Sequence, residues 1–103
     1  MDYMESDNRP RLTVRDFTII SAAMIEAASV TDDVSSYREV IRSVSKATDY
    51  LATDVSRVTI AMIQHGVLVH AVEIKRRGSA LTALGWTIHQ RMHCFADIDD
   101  QEE

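Results

Sequence analysis

His89, His93 and Asp97 stand at i, i+4 and i+8 near the C-terminus, with Cys94 among them. Two histidines four apart on a helix reach one ion, and imidazole, thiolate and carboxylate are all competent zinc ligands. The pair lacks the glutamate of the HExxH protease motif, and a further ligand must come from elsewhere, His65 and His70 being the remaining histidines. A metal-bound helical domain is therefore one alternative, while the primary reading assigns no metal and no cofactor. Nucleophilic catalysis has less support. His93 and Cys94 are adjacent, and neighbours on a helix point ~100° apart, so the imidazole does not reach the thiol to activate it. Glu26, Glu39 and Glu73 fall on separate segments without visible pairing, and there is no glycine-rich phosphate loop. The chain reads as a non-enzyme.

Cations offer a second chemistry. Lys75-Arg76-Arg77, the pair Arg38 and Arg42, and Arg9 with Arg11 could form one basic stripe, the footprint of a nucleic-acid binder. Against it stands a net charge of −5, which suits solubility or a basic partner better than a phosphate backbone. A DNA-binding regulator is thus a further alternative.

These residues need elements to hold them. With 103 residues, 46% hydrophobic, and only three glycines and one proline, the chain makes one domain and is poor in the turn residues of all-β folds. The expected fold is all-α: a four-helix single domain, residues 12–96, between a flexible arm (1–11) and an acidic tail (97–103). Thr13 with Asp16 forms a capping box, and Leu12 can staple to Phe17, opening a helix from Val14 to about Ser29. A linker with Asp32 and Asp33 leads to a second box, Ser36 with Glu39, and a helix from Tyr37 to about Ala52. Thr53 is the expected cap of the next helix, and Ser79 that of the last, from Ala80 to about Phe95.

The run Val55–Ile74 is the long central helix of this reading. Helical stepping gives it two apolar stripes: Leu51, Val55, Val58, Met62, Val69 and Val72 on one side, Ile60, Ile63, Val67, Ala71 and Ile74 on the other. It ends in Lys75-Arg76-Arg77-Gly78, cations and then glycine, as helix C-termini do. Gly66 in mid-helix is then explained by close approach of another helix. The alternative is an α+β fold with a hairpin at 58–74, turning at Gln64-His65-Gly66.

A helix apolar all round must be buried all round, so the second stripe is assigned to a partner subunit. The preferred function is a small non-enzymatic protein-binding regulator, of adaptor, inhibitor or anti-activator type, acting as a helical homodimer. The expected partner-binding residues are Ile60, Ile63, Val67, Ala71, Ile74, the off-seam Trp86, and the acids Asp97, Asp99 and Asp100, which would meet a basic surface. One cysteine forbids an internal disulfide, and no run reaches the ~18 apolar residues of a membrane span. The expected location is cytoplasmic.

Overall fold

In the computed structural model, which describes residues 11–31 and 37–102 with side chains as far as His93, the fold is all-α. Its helices are α1 (Val14–Ala28), α2 (Arg38–Thr48), α3 (Ala52–Gln64), α4 (Ile74–Arg77) and α5 (Ala83–Glu102). A single 3₁₀ turn, Ala71–Glu73, leads into α4. Among the described residues no helix is long and apolar enough to cross a membrane. Ser36, Asp32 and Asp33 lie outside the described residues, as do the side chains of Asp97, Asp99 and Asp100.

The Thr13 capping box forms as expected, with the Asp16 amide donating to Thr13 Oγ1 at 3.0 Å and the Thr13 amide to Asp16 Oδ2 at 2.9 Å. Asp16 also accepts the Tyr50 hydroxyl at 2.6 Å, tying the start of α1 to the α2–α3 connection. That hydroxyl first, then the Thr13 amide and hydroxyl, hold the Asp16 carboxyl below the usual carboxylate range. A carboxylate depressed in the folded state contributes stability above its unfolded value and loses it as pH falls through the folded one. Tyr50→Phe is therefore expected to lower the urea midpoint at neutral pH, by a margin that narrows as pH drops below ~4. A margin that stays constant into acid would trace the loss to packing instead.

The break between α2 and α3 comes earlier than the Thr53 cap anticipates. Asp49 takes a left-handed backbone (φ 69°), and Leu51, extended, is the residue before α3. Ser45 Oγ donates to the Tyr50 carbonyl at 2.5 Å and so holds this corner. Thr53 itself is helical.

The long central helix is corrected. α3 stops at Gln64, with Gly66 left-handed at φ 78°. The Gly66 amide donates to the Ile63 carbonyl and the Val67 amide to the Met62 carbonyl, the two bonds of a Schellman termination. Nothing lies within 4 Å of where a Gly66 side chain would start, so this glycine serves backbone geometry and not the close approach of a helix. The chain then runs extended, and Leu68 bridges antiparallel to Leu81 through bonds from Val69 to Ala80 and from Thr82 to Val67. The hairpin reading thus places the reversal correctly but not the pairing, because the extended segment meets residues 80–82 instead of 58–63.

The second stripe is dispersed accordingly. Ile74 is fully buried while Ile60 is 51% exposed, and Ile63, Val67 and Ala71 are half-buried. Val72, assigned to the opposite stripe, is 86% exposed. The core gathers Ile20, Met24 and Ala28 from α1, Val40 and Val44 from α2, Val55, Val58 and Met62 from α3, with Leu68, Ile74 and Leu81 closing it. Buried Tyr37 donates its hydroxyl to the Val69 carbonyl at 2.6 Å, and burial pushes that phenol up to about 12. This bond fastens the start of α2 to the extended segment.

The last helix also starts later than the Ser79 cap predicts. Ser79 Oγ takes the Leu81 amide, a local turn, whereas Thr82 Oγ1 accepts the Gly85 amide at 3.1 Å in the manner of an N-cap. Gly78 ends α4 left-handed behind its three cations, as the sequence pattern predicts.

Candidate metal centre

Glu26 lies in the last turn of α1, where no basic residue complements the negative end of the helix dipole. A carboxylate there is locally unfavourable unless a cation stands in front of it. The end of α1 is nevertheless firmly held, since Ser29 Oγ donates to the Glu26 carbonyl and Thr31 Oγ1 to that of Ala27. Opposite, α5 presents His89 and His93 one turn apart.

Three atoms converge. His89 Nε2 and His93 Nε2 are 3.1 Å apart, and Glu26 Oε1 is 3.5 Å from the first and 3.4 Å from the second. Atoms bound at ~2.05 Å to a tetrahedral zinc stand ~3.3 Å from one another, a value these edges bracket. A point ~2.05 Å from all three lies ~0.7 Å out of their plane, as at a tetrahedral centre. A regular octahedral ion at similar bond lengths wants ~2.9 Å edges, shorter than all three. The His89 ring is 16% exposed, while His93 and Glu26 are 56% and 60% exposed. Trp86 meets His89 edge-on, ring centroids 5.7 Å apart, and limits how that imidazole can turn.

The structure brings His89 and His93 together, as helical spacing expects, and the carboxylate that joins them among the described residues is that of Glu26. Asp97 follows His93 by one turn of a helix that continues to Glu102; its side chain lies outside the described residues, as does that of Cys94. Glu26 has no sequence signal except its place against the dipole, because only the docking of α1 on α5 brings it to the histidines.

The other candidates are scattered. Trp86 is partly exposed beside the triad. Arg76 and Arg77 contact Glu73 at 3.6 and 3.2 Å, local pairs one turn apart. Arg38 and Arg42 line a separate cleft with Thr53 and Ser56 at the start of α3. Another cleft, about 300 Å³, lies between α1, α3 and α5 and is walled by Phe17, Ile25, Met62, Val67 and Ile88. Searches against protein-family models, curated proteins and solved structures return no match to this chain.

Proposed function

We propose that the domain binds a divalent transition-metal ion, zinc foremost, between α1 and α5. The observation that carries this reading is the triangle of Glu26 Oε1, His89 Nε2 and His93 Nε2, whose edges fit a tetrahedral ion. Two imidazoles and one carboxylate are a common donor set for catalytic zinc and for non-haem iron. The ion would also offset the Glu26 charge at the end of α1 and join two helices distant in sequence. Titration calorimetry of the metal-free chain is expected to give one zinc per chain. Glu26→Gln and His93→Ala should each weaken binding by ~30-fold or more, within the range expected for lost ligands and their supports. Affinity should fall steeply on acidification, because protons compete for the same nitrogens. Binding that is indifferent to Glu26→Gln would place the ion elsewhere.

A second reading, the protein-binding regulator, is favoured by the apolar cleft behind Phe17, which suits an apolar side chain of a partner. Homodimer formation belongs to this reading. Sedimentation of the chain over a range of concentrations tests it, since a monomer at every concentration would remove the dimer.

A further inference from the structure

Among the side chains described, the metal reading leaves one coordination position to be filled. Among the described residues three ligand atoms converge, and a tetrahedral ion takes four. A zinc ion held by one carboxylate and two neutral imidazoles keeps one positive charge, so a monoanion is the ligand that neutralises it. Beside the triad runs a groove of about 620 Å³, lined by Trp86, His89, Gln90 and His93. It shares both imidazoles with the metal triangle and lies open to solvent along one face of α5. The Trp86 indole supplies an apolar wall, and the Gln90 carboxamide supplies N–H donors to a second ligand oxygen.

We infer that the open position takes the carboxylate of a small acid with an apolar body, one oxygen on the metal, the other toward Gln90, and the body along Trp86. The inference rests on the metal reading. Binding exchanges a metal-bound water for the carboxylate, with no bond made or broken in the ligand and no electron transferred.

The full chain loaded with cobalt(II), a spectroscopic stand-in for zinc, tests this with benzoate and acetate as probes. Both should change the visible cobalt bands, and benzoate should do so at ~5-fold lower concentration, the order of gain expected for one aromatic ring against another. Trp86→Ala should bring benzoate to the level of acetate, which serves as the internal reference. Gln90→Ala should weaken both.

Three results would overturn the inference. If cobalt binds but neither acid alters its bands, the chain closes its own coordination sphere; the metal reading then stands and the open position does not. If cobalt-loaded chains sediment as dimers whose bands ignore both acids, a second copy supplies the fourth ligand. If cobalt does not bind at all, the metal reading fails and takes the inference with it.

Discussion

Gly85→Ala is expected to destabilise the protein by ~2 kcal/mol, although alanine is the better helix former by ~1 kcal/mol. A methyl group built on Gly85 would stand 2.4 Å from the Val67 carbonyl oxygen and 2.9 Å from Leu81 Cδ2. The carbonyl cannot retreat cheaply. It accepts the Thr82 amide at 3.1 Å, which closes the Leu68–Leu81 bridge, and shares with the Gly66 carbonyl the hydroxyl of Thr82, the residue that caps α5. Overpacking of this kind costs roughly 1–3 kcal/mol, and here it also strains two hydrogen bonds, so the loss exceeds the propensity gain. Urea denaturation gives the sign directly. An alanine variant stabilised by ~1 kcal/mol, as propensity alone dictates, would show that α5 does not rest on that carbonyl. Because Gly85 sits one turn before His89, the same displacement should weaken zinc binding if the triad holds the ion.

Gly85 and Gly66 show which parts of this fold a sequence reader can recover. The Thr13–Asp16 box and the cations before Gly78 are local devices, satisfied by backbone groups a few residues away. Each is therefore visible as a short pattern. Gly66 was ambiguous because one residue type serves both a left-handed turn and a tight helix crossing. The first use holds at Gly66, while Gly85 admits a close approach of a different kind, the Val67 carbonyl of the extended segment. Stepping at 100° assumes one unbroken axis, so a stop at residue 64 invalidates every face assignment beyond it. The candidate site divides the same way. His89 and His93 share a helical face by spacing alone, whereas Glu26 joins them through tertiary packing that no spacing rule encodes.

Ile74→Ala should cost ~3 kcal/mol and Ile60→Ala less than ~1 kcal/mol, although helical stepping puts both residues on one stripe. Ile74 is fully buried at the first turn of α4, beneath the segment that Tyr37 and the Leu68–Leu81 bridge hold in place. Removing its branched side chain from a packed interior forfeits both transfer energy and contacts around the resulting cavity. Ile60, half exposed on α3, leaves no enclosed void when truncated, because water fills the space. Paired urea unfolding curves at one protein concentration separate the alternatives. Equal and small costs would mean that Ile74 faces solvent or a partner, as a continuous rod from 55 to 74 requires. A large cost at Ile74 alone places that residue in the core of its own chain, and leaves Ile60, with exposed residues such as Leu51 and Val72 and the Phe17 cleft, as apolar surface open to a protein partner.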